Sequence, residues 1–394
     1  MKNWLWIAIA AAVGIPAIVL RLSGVELDPL FAAIVFGIAI VGGAFLLTWA
    51  AEAAQKEISQ ALALAFLALI AVLPEYAVDL YFAWTAAIDP QYASYATANM
   101  TGANRLLIGI GWPLVALLFW TRRRHRAVTV DKGQAVELTF LVLATIYSFI
   151  IPIKGTLSLV DSVILISLFG LYIWASSRGK KVEPELVGPS AAIAALPRRW
   201  SRLVTASLFI FPAAIILASA APFAEGLIAT GKSAGIDEFI LVQWVAPLAS
   251  EAPEILIAAI FTLRGNATAA LGMLISAKVN QWTLLIGTLP IAYCISLGDI
   301  GSLPLDMRQV EEILLTGAQS AFAIVLLSRL RLSLRGASVL FVLFIIQLVL
   351  PIPEVRWGFA GLYIVLALAL LLTDGERRRG LWAMMRTTFS TFRK

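Results

Sequence analysis

The chain has 394 residues, of which 60% are apolar and 14% charged, against about 45–50% and about 25% in ordinary soluble proteins, and its mean hydropathy is +0.90. That composition excludes a soluble globular fold and defines an all-α, polytopic membrane protein. A single cysteine, Cys294, and a single histidine, His125, exclude an intrachain disulfide and a cysteine–histidine zinc cluster, and the net charge of +6 comes from short basic loops rather than from a face suited to nucleic acid.

About 20 apolar residues cross a bilayer as a helix, and in chain order the runs are 4–20, 30–54, 58–87, 92–120, 135–153 and 157–175, then 203–230, 239–263, 267–297, 310–327, 334–350 and 357–372. These make twelve expected spans. The first could be a signal peptide behind Lys2, but Trp4 and Trp6 resemble interfacial anchors and no small-residue cleavage pattern precedes Arg21, so a retained helix is the preferred reading. Between the sixth and seventh runs, residues 178–202 carry Pro184, Pro189, Pro197 and several basic residues, the mark of a linker. At the far end, 377–394 mixes arginines with Trp382, Met384, Met385, Phe389 and Phe392, which suggests a helix lying on the inner membrane surface.

Alternate loops differ sharply in charge. With the amino terminus cytoplasmic, 23 of the 30 basic residues face the cytoplasm and 5 (Arg21, Lys154, Lys232, Arg308, Arg356) face outward. The positive-inside rule then puts both termini in the cytoplasm, and the lack of targeting features suggests a bacterial-type inner membrane. The remaining two, Arg105 and Lys278, lie inside spans.

A repeat divides the chain. Residues 71–76 read AVLPEY and 251–255 read EAPEI, each placing Pro-Glu within a long apolar run. Downstream, ANRLLIGIG at 103–111 matches VNQWTLLIG at 279–287, and upstream AAEAAQ from Ala50 matches FAEGLI from Phe223. The span with Glu75 starts on the cytoplasmic side and the span with Glu254 starts outside, so the halves are expected to be inverted repeats, a common plan of secondary transporters with the binding site at the midplane. The expected divisions are an additional amino-terminal helix (1–24), a first repeat (25–177), the linker (178–202), a second repeat (203–351), and an additional helix with a basic tail (352–394).

Proline before glutamate has a chemical consequence. Pro74 and Pro253 donate no backbone hydrogen bond, which releases the carbonyls of Ile70 and Ala249. In lipid a released carbonyl needs a partner, and beside a carboxylate a hard cation such as calcium or sodium can serve. Asp79 stands one turn beyond Glu75 on the same face and Glu251 lies just across the kink from Glu254, so four carboxylates are brought together in principle.

These paired motifs resemble those of the cation/calcium exchanger superfamily, which has ten core helices in two inverted halves, GTSxPE in each half and a later GNxxGSNxx followed by Asn or Asp. The resemblance spans about Leu30 to Leu350. It implies a secondary antiporter that exchanges calcium or a similar cation for sodium or protons by alternating access, without a cofactor, with inorganic cations and the lipid bilayer as its partners. By position it implies Glu75 and Glu254 as the central cation, or metal, ligands and Ser250 as the threonine of the second motif, while Ala71 and Val72 replace hydroxyls in the first. In the later motif of the second half, Ala277 falls at the ligand serine and Gln281 at the terminal ligand, with Asn280 beside it. In the first half Thr101 falls at the serine and Arg105 at the terminal asparagine, or, shifted by two, Gly102, Ala103 and Asn104 form the GSN element.

The departures carry their own expectation. A charge at the bilayer centre costs about 2.5–3.5 kcal/mol on insertion scales, so Arg105 and Lys278 are expected to pair with the four carboxylates and to fill part of the cation site. That leaves open an alternative: a proton-coupled relative, or a non-transporting one with a binding or scaffold role. An intramembrane enzyme is disfavoured by the absence of a histidine or metal motif. Glu52 and Glu225, near span ends, read as interfacial or structural, and Asn104 and Asn280 as cation ligands or interhelical hydrogen-bond formers. Residues 226–233, GLIATGKS, satisfy the phosphate-loop pattern. That loop needs a strand before it and a soluble nucleotide domain around it, so no nucleotide is expected.

Overall fold

The long apolar runs fold as helices because backbone N–H and C=O groups in a bilayer must bond within their own segment. The computed structural model describes residues 2–54, 72–178 and 186–391. Among these, ten helices are long and apolar enough to cross a membrane, and Leu334–Val349 is a shorter apolar helix. Of the expected span 58–87, residues 58–71 lie outside the described residues; the rest holds α4, Leu73–Thr85. The chain divides into two units, each assembled from two separate stretches.

Unit 1 comprises Met1–Phe82 and Lys180–Pro253. It opens with α1 (Lys2–Ala12) and α2 (Ile15–Ser23), broken at Gly14, where a Cβ would lie 2.4 Å from Ile215 Cδ1. The centre is the pair α3 (Pro29–Ala54) and α11 (Arg198–Ala234). Small residues let these helices touch backbone to backbone: a Cβ on Gly226 would lie 2.8 Å from Ala33 N and 2.9 Å from Pro29 O. Ile7, Leu46, Ala50, Ile193 and Leu208 form a buried cluster at one end of this pair.

Ile193 comes from α10 (Pro189–Ala194), so the expected linker contains a helix packed on α3. Pro189 opens that helix at a position needing no N–H. The next helix starts at Arg198 rather than near Leu203, because Arg198, Arg199 and Trp200 suit an interfacial first turn. Gly226–Ser233 lies within α11, so the phosphate-loop pattern falls on a helix rather than on a loop after a strand.

Unit 2 comprises Ala83–Gly179 and Glu254–Lys394. Its centre holds two interrupted spans. The first is α5 (Tyr92–Leu106), a π-helical segment Leu107–Gly111, and α6 (Trp112–Arg123). The second is α13 (Ala267–Asn280), a π-helical segment Gln281–Leu285, and α14 (Ile286–Leu297). Around them stand α7 (Ala135–Ser148), α8 (Ile150–Lys154), α9 (Leu159–Ser177), α15 (Met307–Leu327), α16 (Leu334–Val349), α17 (Pro353–Thr373) and α18 (Gly375–Thr391).

Two short ribbons fix which ends of unit 2 lie together. Strand β1 (Ala127–Thr129), after α6, pairs antiparallel with β4 (Arg331–Ser333), after α15. Strand β2 (Thr156–Ser158), after α8, pairs with β3 (Ser302–Pro304), after α14. The helices α7 and α8 run from the first ribbon to the second, so the ribbons mark opposite ends of the unit. The span 92–123 therefore ends at one ribbon and the span 267–297 at the other, and the two interrupted spans run antiparallel. This is the alternation expected from the loop charges, and it joins 122–132 and 329–335, both basic, at one end.

Candidate cation-binding site

The Pro-Glu motifs lie in α4 and in α12 (Glu238–Leu263). Pro74 occupies the first turn of α4, where a missing N–H costs nothing; Ile70, whose carbonyl it was expected to release, is outside the described residues. Glu75 and Asp79, one turn apart on the same face, are 1% and 0% exposed. In α12 both Pro247 and Pro253 are internal, which releases the carbonyls of Gln243 and Ala249 from the helical ladder. Ser250, Glu251 and Glu254 are buried. The Ser250 hydroxyl donates to the carbonyls of Pro247 (3.2 Å) and Ala246 (3.4 Å), and Glu254 Oε2 has no hydrogen-bond partner among the described residues. A buried carboxylate in that condition is stable with a proton or a cation on it.

Glu75, Asp79, Ser250 and Glu251 belong to unit 1; Glu254, Thr101, Asn104, Arg105, Lys278, Asn280 and Gln281 belong to unit 2, and all of them are buried. In unit 2 the Thr101 hydroxyl donates to Thr97 O at 2.7 Å, and Asn104 Nδ2 donates to Met100 O at 2.8 Å. The second bond turns Asn104 Oδ1 outward from its helix, where it accepts from Lys278 Nζ at 2.6 Å. The same ammonium lies 4.3 Å from the centre of the Trp282 ring, a cation–π contact. A hydrogen bond from one interrupted span to the other therefore joins residues at matching places, just before each π segment.

Arg105 departs from its expected pairing. Its guanidinium is ion-paired with Glu312 at 2.5 Å, a residue outside the four carboxylates named from the sequence. Glu312 is also 3.8 Å from Arg356, and Arg356 pairs with Glu311 at 2.7 Å, which accepts from Trp357 Nε1 at 3.0 Å. Two arginines and two glutamates thus form a charge-balanced, buried group on α5, α15 and α17. For Lys278, the contacts described within unit 2 are those to Asn104 and Trp282.

Sequence reasoning did not single out this group because Glu311, Glu312 and Arg356 lie at the starts of their spans, where a charge costs little. Packing of α17 on α15 buries them. Two adjacent glutamates leading an apolar run were the available signal. Glu225 and Glu52, expected to be interfacial or structural, have specific partners: exposed Glu225 accepts from the Tyr81 hydroxyl, and Glu52 is hydrogen-bonded to Ser190 on α10.

The π segments are the second feature that sequence did not reveal. Each widens a helix by one residue per turn; Trp112 N–H, for example, donates to Leu107 O five residues earlier. Such bulges cluster at functional positions in helices, and here they fall within the two motifs singled out as a repeat, 103–111 and 279–287. In the first, Gly109 allows Phe344 of α16 to press on the widened turn; a Cβ there would lie 2.2 Å from Phe344 Cγ.

Spanning helices in number, antiparallel interrupted spans, and buried carboxylates beside buried fixed cations define a helical membrane protein of the transporter class. The family model described as sodium/calcium exchanger protein matches residues 29–178 and 204–352. The chain belongs to this family. Among solved structures it is similar to the H+/Ca2+ exchanger CAX, with 44% identity, a TM-score of 0.95, and coverage of 100% of this chain and 99% of that one. It also shares its fold with the Ca2+/H+ antiporter protein YfkE (14% identity, TM-score 0.63, 90% and 98% coverage) and with the sodium-calcium exchanger NCX_Mj (15% identity, TM-score 0.54, 86% and 98% coverage). No curated protein sequence matches the chain.

Proposed function

We propose that this protein is a secondary antiporter that exchanges Ca2+ for protons, with Glu75 and Glu254 as its central ligands and Asp79, Glu251, Ser250, Thr101, Asn104, Asn280 and Gln281 as supporting polar groups. The observation that carries the reading is the full-length similarity to an H+/Ca2+ exchanger at 44% identity, on a chain whose Pro-Glu glutamates are both buried in apolar helices. Calcium takes carboxylate and carbonyl oxygens, and a buried carboxylate that has lost its cation takes up a proton, because its bare charge is too costly to keep. Each glutamate then holds one cargo or the other. Carrying protons one way and calcium the other follows when access alternates between the two sides of the membrane.

The fixed charges support protons rather than sodium as the coupling ion. Arg105 and Lys278 lie in and beside the later motif of each half: Lys278 already occupies Asn104 Oδ1, an oxygen that a sodium ion would need, and Arg105, paired with Glu312, brings a fixed positive charge where the family has an amide ligand. In this reading the two halves are inverted repeats at 25–177 and 203–351, both termini are cytoplasmic, and the membrane is a bacterial-type inner membrane.

The test is calcium uptake into vesicles containing the purified protein. An imposed pH gradient should drive uptake in sodium-free buffer, and a proton ionophore should abolish it. Uptake that requires a sodium gradient and ignores the pH gradient would refute proton coupling.

A further inference from the structure

We propose that α18, together with the basic rim at the β1–β4 end of unit 2, is a binding site for phospholipids with anionic headgroups. This goes beyond the exchange reaction and is independent of which ions are exchanged.

The helix has two faces of different purpose. One face carries Arg377, Gly380, Met384 and Thr388, spaced three or four residues apart, and is seated on the protein. Arg377 donates to the carbonyls of Val325 (2.8 Å) and Leu326 (3.0 Å), at the end of α15 where helix carbonyls lack partners. Gly380 lies flush against Ser328; a Cβ there would be 2.2 Å from its carbonyl oxygen. Met384 is buried, and the Thr388 hydroxyl is 2.9 Å from that of Thr139 on α7. These contacts hold α18 across the ends of two spanning helices, in a fixed orientation.

The opposite face is a stripe of Arg378, Trp382, Arg386 and Phe389, one turn apart and all exposed. Trp382 is 70% exposed and Phe389 45%. With Met385 and Ser390 they line an open groove of about 590 Å³. Arg386 stands between the two rings and has no protein partner among the described residues. A tryptophan and a phenylalanine flanking a guanidinium match the boundary between acyl chains and headgroups, where indole rings and arginines concentrate.

Charge selects the occupant. The same end of unit 2 presents Arg122, Arg123, Arg124 and Arg126 after α6, and Arg331 and Arg335 around β4, all exposed. Of the acidic groups nearby, Asp374 and Glu376 are engaged by Arg329, and Asp131 accepts from the Gly133 N–H, so the arginines outnumber them. Each basic residue at a membrane surface attracts anionic lipid by about 1 kcal/mol, so this rim concentrates such lipids beside the groove. A neutral lipid would match the rings but not the arginines.

The experiment uses the full chain in phosphatidylcholine vesicles and reads the Trp382 signal as the difference between wild type and Trp382→Phe. Acyl-brominated phosphatidylglycerol should quench that signal about fivefold more effectively, per lipid, than acyl-brominated phosphatidylcholine. Arg386→Gln should remove most of this excess while leaving quenching by phosphatidylcholine unchanged. Equal quenching by the two lipids would overturn the proposal, as would a Trp382 that neither lipid reaches because a second copy or another protein covers the groove. An Arg386→Gln protein that keeps the full excess would overturn it too. Should Trp382→Phe fail to fold, counting phosphatidylglycerol retained through purification on wild type and on Arg386→Gln gives the same decision.

Discussion

Glu312→Gln replaces a buried carboxylate by a neutral group of the same shape and removes the ion-pair partner of Arg105. At 2.5 Å the gross attraction is about 6–7 kcal/mol for an effective dielectric constant of about 20. Much of that offsets desolvation, and removal of one partner from a buried pair costs about 3–5 kcal/mol net. Glu311 is already paired with Arg356, so the group passes from balanced to one positive charge in excess. For a protein of this size we expect the midpoint of thermal unfolding in detergent to fall by about 6–10 °C, read as loss of the monodisperse peak in size-exclusion chromatography after heating. Arg105→Gln alone should cost a similar amount. The double variant should recover at least half of the loss, since it restores neutrality. A Glu312→Gln midpoint within about 1 °C of wild type, or single losses that simply add in the double variant, would refute the account of this group.

Glu75→Gln and Glu254→Gln should each lower calcium flux into vesicles by about 100-fold or more while leaving the chromatographic profile of the wild type. Gly109→Ala drives a methyl group into the Phe344 ring; a cost of about 1–3 kcal/mol is expected, with partial recovery in Gly109→Ala/Phe344→Leu, both measured as thermal midpoints. Asp374 is held below the usual carboxylate range, chiefly by its hydrogen bond from Arg329. A lowered folded-state pKa contributes stability above the ordinary value near pH 4 that is lost as pH falls through the folded one. Protease access to α18 should therefore rise in that acidic window, and Asp374→Asn should show the higher access at neutral pH with little further change on acidification.

What sequence revealed of this protein depended on cost. Glutamates, an arginine and a lysine inside apolar runs are expensive in lipid, so Glu75, Glu254, Arg105 and Lys278 stood out without any knowledge of their surroundings, and the structure buries all four. Most spanning helices were legible for the same reason, since apolar length is all that a bilayer requires of them. Partners were less accessible. Arg105 and Glu312 are far apart in the chain, and nothing local links them; only the packing of α5 and α17 against α15 creates their contact. The π segments were invisible because one extra residue in a turn leaves no mark on composition, and in a helix apolar on all sides there is no periodicity to be disturbed. Three-residue strands such as β1 and β4 fall below any pattern threshold, although they fix the ends of unit 2. Conversely, GLIATGKS was legible but misplaced: a pattern defined by glycine and lysine matched a stretch of helix, α11, and not a loop.

The central claim is that the buried glutamates release protons when calcium binds, since metal ligands must be deprotonated. Calcium added to the detergent-purified protein in weakly buffered solution tests it without any gradient. The account predicts a stoichiometric release of about two protons per calcium bound, reduced in Glu75→Gln and Glu254→Gln. Calcium binding that releases no protons across the accessible pH range would contradict it.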